Sequence, residues 1–590
     1  MLRISVKTIS FFTRHRRISA ASICDSSSRA HTAFRDNMTA LFAAMDSLAN
    51  QTVTENGAPC YATTGSARCD AFAKLLRGTK NIPELFENAL REAADDPAAL
   101  VDLVLLWAST RAVRHGKGER KVAHEWFLQL AAHFPRLCRA LICLMPDYGS
   151  WRDLIDLHKM PNTPLHIKQA LVVHTVEQLR KEAQMLDDGS QLSLLGKWAP
   201  RVKSGNSKLA KEIAKSLFED APDCYARYRK LVSALNHRLD TVEVKMCGGN
   251  WADIAPVKVP ARCLTVHRHA FLNQTSKGAP RSAKDDRVQC AANFVEALKS
   301  GKAMHGRSQH PHNFVDVYMK TNKLDLVIEA QWKDTITRLR AEYPTLGQML
   351  CLSDVSGSMS GEPMLVSITF GLLCAALGTI NGKPLDRFMT FSETPEWVQV
   401  PSEMSLYSKV QKAKKAPWGM STNLVSAFKL ILDVCVQAKV PASDVAELKL
   451  LIVSDMQFDK ASPGQLWETT LQTIERMFRQ AGYPDIPLLI FWNVRAALGF
   501  VAPADHRGVV QLAGFSPNLL KSVIDGSFEM AAPTSYEVMR ATLDDPSYNA
   551  IRELCASVKE GAMANYACGS NATSSSACSS TSARACARKL

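Results

Sequence analysis

Between residues 38 and 344 the apolar positions recur at three- and four-residue intervals. DAFAKLLR, NIPELFENALREA, ALVDLVLLWASTRAV, RKVAHEWFLQLAAHF and PRLCRALICLM show this spacing, as do HIKQALVVHTVEQLRKEAQML, SKLAKEIAKSLF and YRKLVSALNHRLDTVEVKM. It gathers the apolar side chains into one stripe along a helix. Short punctuators separate the segments: Asp95-Asp96-Pro97, His115-Gly116-Lys117-Gly118, Phe134-Pro135 and Pro146-Asp147-Tyr148-Gly149. Helices joined by brief turns predict an all-helical region over 38–344, either a bundle or a HEAT-like stack; no fixed repeat length decides between them.

Near residue 347 the period changes. The apolar run in GQMLCLSDVSGS has strand length, and EPMLVSITFGLLCAALG reads as a helix. RFMTFS and EWVQV form a strand pair, STNLVSAFKLILDVCVQA a helix, and ELKLLIVSDMQF a second buried strand. GQLWETTLQTIERMFRQAG, PLLIFWNVR, GVVQLAGF and NLLKSVIDGSF continue as helix, strand, strand and helix. This alternation predicts an α/β domain over 345–556, with a mainly parallel, Rossmann-like sheet covered on both faces. Such sheets offer ligand sites at the carboxyl ends of their strands. Residues 557–590 are rich in Ser and Ala, lack apolar periodicity and are expected to be disordered.

Composition changes the picture mainly at the ends. The 590 residues are 46% hydrophobic and 22% charged, an ordinary globular balance. The net charge of +14 draws heavily on residues 1–37, where seven Lys/Arg face two Asp. The body is therefore only mildly basic, a weak argument for nucleic acid. A basic, Ser-containing leader resembles a mitochondrial presequence; the alternative is a disordered leader ahead of a fold starting near Met38. The expected compartment is the cytoplasm, with the mitochondrion as alternative. Sixteen scattered cysteines without a Cys-x-x-Cys pair point to free thiols and a reducing compartment. No apolar run is long enough to predict a membrane span.

The chemistry concentrates at two strand ends. Asp354-Val355-Ser356-Gly357-Ser358 follows the first strand, Ser454-Asp455 ends the second, and Gly419-Met420-Ser421-Thr422-Asn423 lies in the loop region between. Asp354, Ser356, Ser358, Thr422 and Asp455 are all oxygen donors, the set that suits a hard cation: Mg²⁺, Mn²⁺ or Ca²⁺.

DVSGS, STN and SDMQF together resemble the three loops of the metal-ion-dependent adhesion site of von Willebrand factor A domains. That resemblance implies that Ser356, Ser358 and Thr422 bind the ion directly or through water, while Asp354 and Asp455 act mainly through ordered waters. It also implies that an acidic group of a protein partner completes the shell. Across residues 45–555, segments such as LLWASTRAVRHGKGER, MPDYGSWRDLIDL, MCGGNWADI and FWNVR are similar to a family of von Willebrand A-like proteins, domain of unknown function 2828. That family in turn resembles the TROVE/Ro ribonucleoproteins in architecture, which alone does not establish function.

A second cluster, RAVRHGKGERK, places Arg111, Arg114, Lys117 and Arg120 between two helices. Gly116 and Gly118 would leave backbone amides open at a helix start, which suits RNA phosphates; the alternative is a solvated basic loop with no ligand. The expected function is a non-enzymatic, metal-dependent protein-binding scaffold without membrane association. An RNA-binding ribonucleoprotein component is the alternative. A Mg²⁺-dependent phosphohydrolase is disfavoured, because Ser356 stands where a second Asp would serve as acid/base.

Overall fold

Along the sheet strands, alternate side chains enter two different cores. In a computed structural model, β1 (Met349–Asp354), β2 (Arg387–Phe391), β3 (Glu396–Gln399), β4 (Lys449–Ser454), β5 (Leu488–Asn493) and β6 (Val509–Ala513) form one sheet, in the order β6-β5-β4-β1-β2-β3. All neighbours are parallel except β2 and β3, the expected strand pair, which is antiparallel. The residues described are 50–301, 306, 309–342, 349–380, 382–416, 418–419, 421–460, 468–496, 499–524 and 532–559. The expectation for 1–37 falls outside them, as does that for the 557–590 tail past residue 559; residues 557–559, expected to be disordered, end a helix.

Leu350, Leu352, Leu450, Ile452, Leu489 and Phe491 face one core, shared with α14 (Leu424–Gln437) and α15 (Thr470–Gln480). Met349, Cys351, Leu451, Val453, Ile490 and Trp492 face the other, which contains α13 (Glu362–Leu377) and continues into the helical region. The two-residue period of a strand assigns each side chain to its face. Helix α13 is buried along nearly its whole length, as a helix between a sheet and further helices must be. It approaches the sheet closely: a Cβ on Gly371 would lie 2.5 Å from the Phe388 ring.

The helical region is built from successive helices packed on their neighbours. They include α1 (Ala67–Lys74), α2 (Ile82–Ala93), α3 (Pro97–Arg111), α4 (Arg120–His133), α5 (Trp151–Lys159), α6 (Leu165–Gln184), α7 (Ser207–Leu217) and α8 (Cys224–Arg238). The punctuators become caps: Asp96 accepts from the Ala98 amide at 2.8 Å, with Pro97 opening α3. Helices α9 (Ala261–Phe271), α10 (Asp285–Lys299) and α12 (Leu326–Glu342) enclose a small separate core around Phe271 and Phe294. Helix α11 (His312–Lys320) packs on α13. Of the tryptophans in helical stretches, Trp151 and Trp332 are buried, while Trp198 and Trp251 are partly so.

The boundary expected near residue 345 is not a break in packing. From Val53 onward the described residues form one compact unit. α1 packs on β6, and α16 (Ser535–Leu543) and α17 (Asn549–Lys559) return to pack on α3. Residues 53–64, expected within the helical region, contain no helix. They lie along the loops of the α/β part, with Tyr61 and Phe500 exchanging backbone hydrogen bonds of 2.9 and 2.7 Å. Apolar periodicity reports that a segment is helical, but not which partner it covers, and it is silent on an extended strap. Among the described residues no helix is long and apolar enough to cross a membrane, and none of the twelve described cysteines is in a disulfide.

Candidate metal centre

Asp354 and Asp455 sit where two adjacent parallel strands, β1 and β4, run out, so the topology brings both carboxylates to one sheet edge. Both are completely buried, as are Ser356 and Ser454, and Thr422 is nearly so. The Ser356 amide donates to Asp354 Oδ1 at 2.9 Å, and Ser454 Oγ donates to Asp354 Oδ2 at 2.6 Å. Ser356 Oγ lies 3.1 Å from Ser358 Oγ. Met456 takes a left-handed backbone conformation (φ 63°), uncommon outside glycine. In that turn the Met456 amide donates to Ser454 Oγ and the Gln457 amide to Asp455 Oδ1, at 3.1 and 3.2 Å.

The Thr422 loop is fixed from a distance. The Ser421 hydroxyl and the Thr422 amide both donate to Asp459 Oδ2, at 2.5 and 2.6 Å. The Asp459 amide returns a bond to the Thr422 carbonyl at 3.1 Å. The 53–64 strap holds the 457–459 loop that carries Asp459: Asn56 Nδ2 donates to the Gln457 carbonyl and to Asp459 Oδ1, at 2.7 and 3.0 Å, and Thr54 Oγ1 donates to the Phe458 carbonyl at 2.9 Å. Asp459, Ser454 and Asn56 are thus supporting residues that the motif did not single out. The Asp459 signal was present four residues after Asp455; that of Asn56 was not, because the contact joins residues some four hundred apart in sequence.

Two oxygens break this pattern of satisfaction. Thr422 Oγ1 and Asp455 Oδ2 are buried and have no hydrogen-bond partner among the described residues. Burying a polar atom without a partner is costly, and a carboxylate oxygen more so. Burial also pushes the Asp354 carboxyl up to about 7, against hydrogen bonds from Ser454 and Ser356, with the nearby Asp455 charge adding to the rise. Among the described residues Arg495 Nη1 lies 3.7 Å from Asp455 Oδ2, within ion-pair range but too far for a hydrogen bond. The donor set is two carboxylates and three hydroxyls, and the unpartnered oxygens belong to two of its members, so the residues fit a hard cation. No group of three or more His, Cys, Asp or Glu side chains stands together as a metal cluster among the described residues; this set is of another kind.

The basic cluster is placed differently from expectation. Arg111 and Lys117 are buried, so neither belongs to a solvated loop. Arg111 grips Asp153 of α5 through Nε and Nη2 at 3.0 and 2.7 Å. Lys117 donates to the carbonyls of Phe72 and Leu75. Arg120 pairs with Asp153 and Asp156, at 3.1 and 3.4 Å, and Arg114 alone of the four is exposed. A run of basic residues looks alike whether it faces water or closes on buried acceptors.

At the start of α13, just after the Ser358 loop, Glu362 receives Arg77 at 2.6 Å and His312 at 3.2 Å from the helical region. The His312 hydrogen bond, with the Arg77 charge, holds the Glu362 carboxyl down at about 2 despite partial burial.

Residues 164–343 match the family described as domain of unknown function DUF2828, and residues 348–553 match domain of unknown function DUF7788. The similarity read over 45–555 is therefore shared between two families, the α/β part falling to the second. The uncharacterized protein L728 of Acanthamoeba polyphaga mimivirus is 30% identical over 502 residues, 81% of this chain and 85% of the viral one. A match of that length cannot fit within either part, so it extends over both.

Proposed function

This chain belongs to the family of the mimivirus protein L728, and on that premise we propose that it is a binding protein rather than an enzyme. Asp354, Ser356, Ser358, Thr422 and Asp455 take a divalent cation, Mg²⁺ or Mn²⁺. Through that ion they hold an acidic group of a protein partner, in the manner of a von Willebrand A domain. The helical region is the platform on which this site is mounted. The observation that carries the reading is the pair of buried, unpartnered oxygens, Thr422 Oγ1 and Asp455 Oδ2, contributed by two different loops. At the same edge Asp354 is hydrogen-bonded by the Ser356 amide and the Ser454 hydroxyl, whereas these two donor-set oxygens have no partner among the described residues.

A bound divalent ion would supply an electrophilic coordination position for a carboxylate. Ser356 and Ser358 hold their hydroxyls together, Ser454 orients Asp354, and Asp459 fixes the backbone of Thr422. The link from Arg77 and His312 to Glu362 ties the helical region to the helix that follows the Ser358 loop.

Calorimetric titration of the full chain with Mn²⁺ tests the reading. One ion per chain is expected, with affinity lowered about tenfold or more by Thr422→Val, which keeps the side-chain shape. Equal affinity in the two proteins, or no uptake by the unsubstituted chain, defeats it.

A further inference from the structure

At the end of β5, Arg495 stands beside the candidate metal centre without belonging to its donor set. Its root is fixed, because its backbone amide donates to Asn493 Oδ1 at 2.9 Å. Its tip is fixed once, because Nη1 donates to the Ser358 carbonyl at 2.6 Å. The same nitrogen is 3.7 Å from Asp455 Oδ2. One guanidinium therefore spans the loops that follow β1 and β4. Its Nε and Nη2 make no hydrogen bond with any described residue, and the side chain is 57% exposed, whereas Asp455 is fully buried.

We propose that Arg495 is the second anchor for the acidic ligand: the cation held by the five donors takes one carboxylate oxygen, and Arg495 takes the other. This rests on the metal-binding reading above. A guanidinium presents N–H donors in a planar fork matched to a carboxylate, and here one prong is spent on tethering while the rest remain available. The charges argue for the same arrangement. A divalent ion at Asp455 Oδ2 and a guanidinium within ion-pair distance of that oxygen repel each other, and an anion bridging them removes the repulsion. Arg495 balances Asp455 without donating a hydrogen bond to Oδ2, so that oxygen stays available to the ion. Neutral or cationic ligands gain nothing from the pair, which makes Arg495 a specificity-determining residue for acidic partners.

The test uses the full chain, with Mn²⁺ as the metal and acetate as the carboxylate probe, against chloride at equal ionic strength. The Mn²⁺ dissociation constant is read from the electron paramagnetic resonance signal of free Mn²⁺, and circular dichroism checks folding. Saturating acetate is expected to tighten Mn²⁺ binding by about fivefold or more, the low end of ordinary coupling between linked sites. Arg495→Gln is expected to bind Mn²⁺ alone at least as tightly as the unsubstituted chain, because a like charge is gone, but to lose the acetate effect. Arg495→Lys, with the charge but not the fork, is expected to keep only part of it. The inference is overturned, with the metal site left standing, if acetate tightens Mn²⁺ binding equally in the unsubstituted chain and Arg495→Gln, or in neither, or if Arg495→Lys keeps the whole effect. Loss of Mn²⁺ binding itself in Arg495→Gln would make Arg495 a prop for the Ser358 loop and also overturn it. No Mn²⁺ uptake by the unsubstituted chain would remove the metal reading and this inference together.

Discussion

Two of the buried charged clusters among the described residues, those at Asp153 and Asp455, are built on opposite terms. At Asp153 every lone-pair direction is used. Oδ1 meets Arg111 and His124 at 3.0 and 3.1 Å, and Oδ2 accepts from Arg111, the Ser150 amide and the Ser150 hydroxyl at 2.7, 2.7 and 2.9 Å. Burial pushes this carboxyl up, but the hydrogen bonds from His124 and Arg111 outweigh it and hold the group well below the ordinary carboxylate range. At the end of β4, Asp455 is just as buried, yet one oxygen accepts no hydrogen bond. The first cluster is closed and stabilises the packing of α3, α4 and α5. The second is open: Asp455 Oδ2 and Thr422 Oγ1 are buried without a hydrogen-bond partner among the described residues.

The comparison breaks first at Asp153. Asp153→Asn leaves Arg111 inside without its counter-charge, so a loss of about 3–5 kcal/mol in urea unfolding is expected. Thr422→Val should do the reverse in metal-free buffer, leaving stability unchanged or raising it by about 1 kcal/mol, because it deletes a buried hydroxyl that has no partner. If Asp153→Asn is tolerated, or Thr422→Val destabilises as strongly, the contrast between closed and open clusters is wrong.

Lys117 sharpens the picture through pH. Burial brings its ammonium down to about 7, with the Glu119 charge acting the other way. Between pH 7 and the ordinary lysine range near 10 the unfolded chain carries a proton that the folded chain lacks. Stability should therefore rise with pH across that window, by at most about 1.4 kcal/mol per pH unit from this group. Lys117→Met should flatten the rise, and an unchanged slope in urea midpoints measured from pH 7 to 10 would contradict a buried, depressed lysine.

Asn56→Ala should cost less, about 1 kcal/mol for lost hydrogen bonds, but it should also weaken Mn²⁺ binding several-fold by loosening Asp459 and hence the Thr422 loop. Stability loss without any change in Mn²⁺ affinity would make the 53–64 strap a packing element only. The smallest effect belongs to Arg114→Glu. An exposed residue without a buried partner should shift stability by less than about 0.5 kcal/mol. If this loop does touch RNA, Arg114 has to carry much of the contact, and its replacement should reduce the salt slope by no more than about 0.9. A larger change would mean that Arg111 or Lys117 leaves its buried position on binding.

By itself, the sequence determined the elements and the donor set. A three-to-four-residue apolar period imposes helices over the first part. Short runs such as LLIVS and LLIFW, buried on both faces, impose parallel strands, and residues at strand ends such as Asp354 and Asp455 share an edge once those strands are parallel neighbours. These are local consequences of backbone geometry, so they can be read from adjacent residues. Tertiary structure decided everything that depends on who meets whom. It put Arg111 and Lys117 inside, ran the 53–64 strap across the Asp459 loop, closed α16 and α17 back onto α3, and set Arg495 beside Asp455. None of these has a local signature: a lysine is buried only if distant carbonyls are waiting for it, and an aspartate oxygen is left unpartnered only when every chain that could have reached it has been folded elsewhere.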